Sequence, residues 1–390
     1  MLRDRAPLAE QIRRPGPKRM LSLDGGGIRG LIALEILGRL EELLRAAHGG
    51  DPAFVLADYF DYVAGTSTGA IIATCVALGL PVEVIRNFYL AGSEAMFKRA
   101  PWFKLFYSRL LDDAISAQLR RQLQHSDGRD RTLGHEDIRT LLLVVMRNAT
   151  TDSPWPISNN PFAKYNAREI DGCNLDIPLW QIIRASTAAP TYFPAQEITV
   201  GTKAFTFVDG AVTVYNNPAL VLFLMATLPE YRLEWEVGED KLLLVSVGTG
   251  VIDTRAISAS QMTLLYNLKS VPSALIAAAL NEQDLLCRVF GRCRFGDPLD
   301  SELEDLIVSD EAAANSGLGQ FGPKKFTYVR YNAPLSRAGL DALGLQRVRP
   351  EDVQRLASSR FMPELMAVGK AYAARLDLAH LGPFDPRRTT

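Results

Sequence analysis

The sequence predicts an α/β protein in which a mostly parallel central sheet is covered by helices on both faces. Apolar runs of strand length alternate with segments of helical periodicity along the chain. Hydrophobic residues make up 47% of the sequence and charged residues 22%, which is typical of a globular domain with a sizeable core. The length of 390 residues allows one large domain or two smaller ones, and no Gly/Ser-rich linker or internal repeat divides the chain. We therefore expect one continuous domain.

The predicted elements begin with residues 19–23, a short apolar run suited to a buried strand. Leucines then recur every three or four residues from Leu31 to Leu44, which indicates a helix packed on the sheet. The run DYFDYVAG predicts the next strand, and AIIATCVALG predicts a helix that ends at Gly79. Further strands are predicted in three apolar runs, at residues 140–148, 204–210 and 241–250.

The chain ends differ from this alternating pattern. Residues 1–17 contain Pro and Arg but no apolar segment, so we expect a flexible arm and not a secretory signal. We expect residues 18–334 to form the main domain and residues 335–390 to form a helical C-terminal extension packed on it, with residues 351–376 as its longest helix. No apolar run reaches the ~18 residues that span a bilayer, so any membrane contact is expected to be peripheral.

Charge and cysteine content restrict the classes of partner and compartment. The formal net charge of -1 argues against a nucleic-acid polymer as the main partner. The four cysteines form no C-x-x-C pair and are interpreted as reduced thiols of a cytoplasmic protein. Since no cluster of His, Cys or carboxylates has a recognisable ligand spacing, we expect no metal site.

Residues 65–69, GTSTG, match the G-x-S-x-G pattern between a strand-like and a helix-like segment. A serine on such a turn adopts strained angles, and the flanking Gly65 and Gly69 avoid clashes with neighbouring backbone. The helix N-terminus that follows favours developing negative charge. Ser67 is therefore a candidate nucleophile. The alternative interpretation is a plain turn in which Ser67 caps the helix.

A nucleophilic serine needs a base, and the four histidines are poor candidates because each fits a surface position or a chain end better (His48, His125, His135 and His380). Asp209 ends an apolar strand and is followed at once by Gly210. Sites form at the carboxyl ends of strands in open α/β sheets. A carboxylate shielded from solvent can accept a serine proton, so Asp209 is the candidate base. The alternative is an aspartate that only caps the strand.

The glycine loop DGGGIRG at residues 24–30 allows two interpretations. It matches the G-x-G-x-x-G fingerprint of a dinucleotide-binding oxidoreductase. Against this, Asp24 would repel a pyrophosphate, and the second strand ends in the serine turn instead of an acidic residue. The other interpretation is an oxyanion hole, in which unobstructed backbone N–H groups are the donors and Arg29 adds a positive charge nearby (Gly25, Gly26 and Gly27).

Three motifs in this order, DGGGIRG, GTSTG and DGA at residues 209–211, resemble the patatin-like phospholipase family. The stretches RASTAAPTYFP, NNPAL and VSVGTG are similar too, and the resemblance covers about residues 18–250. It implies a three-layer α/β/α patatin-like fold and a Ser-Asp dyad that needs no histidine, metal or cofactor. Carried over by position, Ser67 is the nucleophile, Asp209 is the base, and the glycine loop supplies the oxyanion donors (Gly25, Gly26 and Gly27), with Gly65, Gly69, Gly210 and Arg29 in support.

The resemblance also implies a substrate, an ester of a membrane phospholipid. In residues 96–111 aromatic side chains are interleaved with basic ones, a pattern typical of an anionic lipid interface (Trp102, Phe103 and Phe106 are the membrane-facing candidates). A half-buried cap helix is the alternative. Some bacterial relatives are antiphage effectors activated by cyclic nucleotides, so a cyclic nucleotide activator and a homo-oligomer stay open. A scaffold that keeps the fold without chemistry is the remaining alternative.

Overall fold

The computed structural model describes residues 7–97, 116–190, 193–252, 264–299 and 322–388. Within these residues the central element is a nine-stranded sheet with the order β5-β6-β3-β2-β1-β7-β9-β8, in which β4 also pairs with β3. Its strands are β1 (Lys18–Leu23), β2 (Tyr62–Thr66), β3 (Leu141–Asn148), β4 (Ser153–Ser158), β5 (Gln196–Val200), β6 (Lys203–Asp209), β7 (Leu242–Val247), β8 (Arg292–Phe295) and β9 (Thr327–Tyr331).

The sheet is parallel through its centre and antiparallel at one side. Strands β3, β2, β1, β7, β9 and β8 pair in parallel, whereas β4, β5 and β6 pair antiparallel. The α/β fold with a largely parallel central sheet is confirmed. Strands β4, β5, β8 and β9 were not predicted. In β4, Pro154 and Pro156 lack an N–H for the ladder, so its sequence gives a weak strand signal.

Helices cover both faces of the sheet, because alternate side chains of the central strands enter two separate apolar cores. On β3, for example, Leu142 and Val144 enter one core, and Leu141 and Leu143 enter the other. The helices are α1 (Leu8–Arg13), α2 (Gly30–Ala47), α3 (Thr68–Ala77), α4 (Val82–Phe97), α5 (Leu179–Ser186), α6 (Ala219–Thr227), α7 (Leu264–Phe290), α8 (Arg337–Ala342), α9 (Pro350–Val353) and α10 (Met362–Ala373).

The two chain ends differ from the sequence-based expectations. Within the predicted flexible arm, residues 8–13 form helix α1, because Ile12 is buried in a core cluster and Arg13 lies over the Phe162 ring. Residues 351–376, predicted as one helix, are divided between α9 and α10. Helix α10 starts here because Pro363, which has no backbone N–H, fits only the first turn of a helix. Helix α10 packs against α2.

In the described part of the chain, no helix is both long enough and apolar enough to cross a bilayer. The predicted membrane-facing residues Trp102, Phe103 and Phe106 lie outside the described residues.

Candidate active site

Ser67 lies on a sharp turn between β2 and α3. Its backbone has φ 54° and ψ −123°, and a positive φ is uncommon for a residue other than glycine. A Cβ atom on Gly65 would lie 2.1 Å from the carbonyl oxygen of Gly69, and one on Gly69 would lie 2.2 Å from that of Leu23. Both positions therefore require glycine. The turn places Ser67 directly before the N-terminus of α3, where backbone N–H groups favour negative charge.

The Ser67 hydroxyl is hydrogen-bonded to Asp209. Ser67 Oγ donates to Asp209 Oδ2 at 2.7 Å, and the backbone N–H of Ala211 donates to Asp209 Oδ1 at 2.8 Å. Only 9% of Ser67 and 2% of Asp209 are exposed. Gly210 allows this turn to approach β3, because a Cβ there would lie 2.3 Å from the Val145 carbonyl oxygen. The arrangement has the geometry that proton transfer from a serine to a carboxylate requires.

These two side chains meet because β2 and β6 approach each other end to end along one edge of β3. Strand β2 pairs in parallel with β3 as far as Thr66 and Val145, and β6 pairs antiparallel as far as Asp209 and Met146. Strand β4 occupies the other edge of β3. The C-terminal ends of β2 and β6 thus arrive from opposite directions at adjacent residues of β3. The antiparallel direction of β6 was not predicted.

Burial controls the protonation of the candidate base. It raises the pKa of the Asp209 carboxyl to about 7, against the opposing effects of the hydrogen bonds from Ala211 and Ser67 and of the positive charge of Arg184. A carboxylate with a pKa near neutrality is a stronger proton acceptor than an ordinary aspartate, and it is mostly ionised from about one pH unit above its pKa.

This pKa predicts a pH dependence of ester hydrolysis. Because protonated Asp209 cannot accept the Ser67 proton, we expect kcat/KM to fall about tenfold per pH unit below about pH 7 and to level off above it. The measurement is kcat/KM for a soluble ester between pH 5 and pH 9, with unfolding followed at each pH as the control. A flat profile from pH 5 to pH 8 in the folded protein would contradict the assignment of Asp209 as the base.

The same pKa predicts that Asp209→Asn stabilises the fold at alkaline pH. The folded-state pKa of Asp209 lies above its unfolded value, so this group stabilises the fold below about pH 4, and the contribution is lost as the pH rises through about 7. A difference of roughly three pKa units corresponds to about 4 kcal/mol. We expect denaturant titration at pH 8 to show a larger free energy of unfolding for Asp209→Asn than for the wild type, and no such gain at pH 4. Equal gains at both pH values would contradict the burial effect.

Ser186, at the C-terminal end of α5, holds the nucleophile turn in place. Its Oγ accepts a hydrogen bond from the Ser67 backbone N–H at 2.9 Å and donates to the Val145 carbonyl oxygen at 2.6 Å. The side chain is fully buried. Sequence reasoning did not assign Ser186 a role, although it lies in the stretch RASTAAPTYFP on which the family resemblance drew.

Replacing Ser186 by alanine would leave the Ser67 N–H and the Val145 carbonyl without their partner. We expect Ser186→Ala to lower the free energy of unfolding by about 2 kcal/mol and kcat by about tenfold. Thermal unfolding and steady-state kinetics with a soluble ester measure the two effects. The control is Thr187→Ala, which removes a helix-end hydroxyl bonded to the Ile183 carbonyl. If kcat is unchanged while stability falls, Ser186 is only structural.

The glycine loop next to this pair offers two of the three predicted oxyanion donors. The Gly25 N–H already donates a hydrogen bond to the Asn216 carbonyl oxygen at 3.0 Å, so it is not available as an oxyanion donor. For Gly26 and Gly27, no hydrogen bond from the backbone N–H is found among the described residues. Gly25 nevertheless lies against the nucleophile, because a Cβ there would be 3.2 Å from Ser67 Cβ.

Thr68 provides a third backbone N–H that the sequence-based prediction omitted. It occupies the first position of α3, where an N–H has no partner within the helix, and none is found elsewhere in the described part of the chain. In α/β-hydrolases the N–H of the residue after the nucleophile is an oxyanion donor.

Residues distant in sequence hold the loop in this conformation. Gly27 has φ +58°, and a Cβ there would lie 2.3 Å from the Leu356 carbonyl oxygen. That carbonyl accepts the Ile28 N–H at 2.9 Å, and the Tyr89 hydroxyl donates to the Gly27 carbonyl oxygen. The segment between α9 and α10 therefore contributes to the geometry of the loop, and no signal in the sequence indicated this role.

The charges next to the loop are compensated or buried. Arg330 on β9 donates to both carboxylate oxygens of Asp24, at 3.0 and 2.6 Å, and also to Ser246 Oγ. The predicted repulsion between Asp24 and a pyrophosphate is therefore not a valid argument, because Arg330 neutralises that carboxylate. Arg29 donates to the Gly250 carbonyl oxygen at 3.4 Å, and burial lowers the pKa of its guanidinium to about 10.

One group among the described residues has the composition of a metal site, although the sequence spacing suggested none. Ligand atoms of His125, His135 and Asp137 lie within 4.8 Å of one another. The Asp137 carboxylate already accepts a hydrogen bond from Arg131 Nε at 2.7 Å. The hydrogen bonds that Ser67 makes do not involve this group.

Comparisons with known proteins agree with the sequence motifs. The family model described as patatin-like phospholipase matches residues 21–223. Patatin-like protein 1 of Arabidopsis thaliana is 32% identical over 248 residues, 59% of this chain and 58% of that protein. An intracellular phospholipase A2 of Caenorhabditis elegans is 29% identical over 67% of this chain and 22% of its own length. Human GIVD cytosolic phospholipase A2 aligns with a TM-score of 0.49 at 12% identity, covering 98% of this chain and 62% of that chain.

Proposed function

Since this chain belongs to the patatin-like phospholipase family, we propose that it is a serine acyl hydrolase that cleaves ester-linked fatty acids from membrane phospholipids. The observation that carries this proposal is the 2.7 Å hydrogen bond from the strained Ser67 to the buried Asp209 beside backbone N–H groups that have no partner in the described residues. The match spans 58% of the length of the Arabidopsis relative.

In the proposed mechanism, Ser67 Oγ attacks the ester carbonyl as its proton passes to Asp209 Oδ2. The tetrahedral oxyanion accepts hydrogen bonds from the N–H groups of Gly26 and Gly27, with Thr68 as a further donor. Asp209 then returns the proton to the departing alcohol, the carbon–oxygen bond breaks and an acyl-serine remains. Asp209 next takes a proton from water, whose oxygen attacks the acyl-serine, and returns it to Ser67 as the fatty acid leaves.

The buried position of the pair supports this mechanism. With 2% of Asp209 exposed, little water competes for the carboxylate, and the pKa raised by burial makes it a stronger base. The strained Ser67 backbone keeps the hydroxyl at the N-terminus of α3. In a plain N-cap the serine side chain would accept a hydrogen bond from the first turn, but no such cap bond is present at α3.

The direct test is incubation of the protein with vesicles of mixed phospholipids and detection of released fatty acids by mass. We expect fatty acid and the matching lysophospholipid from the wild type, and only background from Ser67→Ala. Equal release from both proteins would refute the role of Ser67. Hydrolysis of soluble esters without any release from vesicles would refute the membrane phospholipid as the substrate.

A further inference from the structure

The middle of helix α7, residues 271–278, presents an apolar stripe to solvent. The residues of the stripe are spaced three or four apart and therefore lie on one face of the helix (Val271, Ala274, Leu275 and Ala278). All four are exposed, and Leu275, at 65%, has the highest exposure of the large apolar side chains in the described residues. Helices of globular proteins normally direct such a stripe towards the core. Here the described residues of the chain leave the stripe exposed.

The C-terminal part of α7 is buried against the domain and contains charged side chains. Asp284 and Arg288 are buried there and pair at 3.0 Å, and Asp284 also accepts a hydrogen bond from the Tyr328 hydroxyl. In contrast, residues 271–280 contain no charged side chain. The C-terminal part of α7 therefore attaches the helix to the domain, while the stripe at residues 271–278 stays exposed among the described residues.

The turn that follows Asp209 lies against the same helix. Residues 210–212 contact α7. Val212 and Val214 are 41% and 46% exposed, although large apolar side chains are usually buried. Exposed apolar residues thus occur both on α7 and on the turn that begins at the candidate catalytic base.

We propose that these residues form one apolar surface, which docks the protein on a phospholipid bilayer (Val271, Ala274, Leu275 and Ala278 of α7, with Val212 and Val214). The inference rests on the proposed function and gives it a docking site. An uncharged helical stripe of this kind inserts into the boundary between headgroups and acyl chains, where it needs no hydrogen-bond partners.

The position of the surface favours a lipid over a second copy of the chain. A bilayer against α7 would bring ester bonds to the turn beside Asp209, where the proposed reaction takes them up. A second copy of the chain seated on the same residues would bring no ester bond to that turn. Contacts by exposed valine and leucine side chains also require no shape complementarity when the partner is a fluid acyl layer.

The test introduces two charges into the stripe with Val271→Glu/Leu275→Glu. The control is Ser273→Glu, because Ser273 is exposed on the same helix but points away from the stripe. Sedimentation with vesicles of phosphatidylcholine and phosphatidylglycerol measures binding. Hydrolysis of a soluble short-chain ester measures the site. We expect the double variant to lose vesicle binding by about tenfold or more, with soluble-ester hydrolysis unchanged, and Ser273→Glu to bind like the wild type.

Vesicle binding by the double variant at the wild-type level would overturn the inference. So would a wild-type dimer that becomes a monomer in the double variant while vesicle binding persists, because the surface would then be a contact between copies. Ser67→Ala should still bind vesicles. If the wild type binds vesicles through this surface but hydrolyses neither substrate, the proposed function fails and the docking surface stands.

Discussion

Ser67→Ala is expected to lower kcat/KM for ester hydrolysis by about 10⁴-fold or more, because the variant lacks the hydroxyl that forms the acyl intermediate in the proposed mechanism. The hydroxyl is the only part removed, and the turn geometry depends on Gly65, Gly69 and Ser186, which remain. Activity is measured with a soluble ester, so that vesicle binding does not enter the result. Thermal unfolding of the variant serves as the control for folding.

Asp209→Asn should cause a loss of similar size, because the amide keeps the shape of the carboxylate but cannot accept the Ser67 proton. The effects of residues that act as one unit do not add. The double variant Ser67→Ala/Asp209→Asn should therefore have about the same activity as the less active of the two single variants. Two independent losses that multiply would contradict a dyad. Substantial activity in Asp209→Asn above pH 7 would show that another base takes the proton.

Gly26→Ala is expected to lower kcat by about 10²- to 10³-fold, the usual effect of losing one oxyanion donor. A Cβ at Gly26 would lie 2.0 Å from Thr249 Oγ1 and 2.5 Å from Thr249 Cβ. Either the glycine loop must therefore shift, or the turn after β7 that contains Thr249 must shift. Thr249 Oγ1 also donates to the Gly25 carbonyl oxygen at 2.9 Å, so the shift would move the loop beside Ser67. Under the proposed mechanism, this displacement would remove the Gly26 N–H from the oxyanion.

Gly38→Ala is the matched control for this substitution. Gly38 lies within α2, and the nearest atom to a Cβ there is 3.8 Å away, so alanine fits and should slightly stabilise the helix. Wild-type kcat in Gly26→Ala would contradict the oxyanion role. Partial recovery of kcat in Gly26→Ala/Thr249→Gly, which removes the clashing atoms, would show that the loss arises from displacement of the loop.

The sequence determined the candidates because the chemistry at each position is local. Strand, turn and helix around Ser67 follow from a buried apolar run, two glycines and a second apolar run. Asp209 was identified in the same way, as a carboxylate at a strand end followed by Gly210. The parallel centre of the sheet also follows from near-continuous apolar strands.

Only the tertiary structure decided how these parts meet. Strand β6 runs antiparallel to β3, and this direction brings Asp209 to Ser67 across 142 positions. The tertiary structure also decided which backbone N–H groups are free to act as oxyanion donors, since the Gly25 N–H donates to the Asn216 carbonyl oxygen. Leu356, which supports the glycine loop through its backbone carbonyl, carries no signal in its side chain. Local sequence encodes side-chain chemistry and periodicity, whereas strand direction and backbone pairing between distant segments depend on the packing of the whole chain.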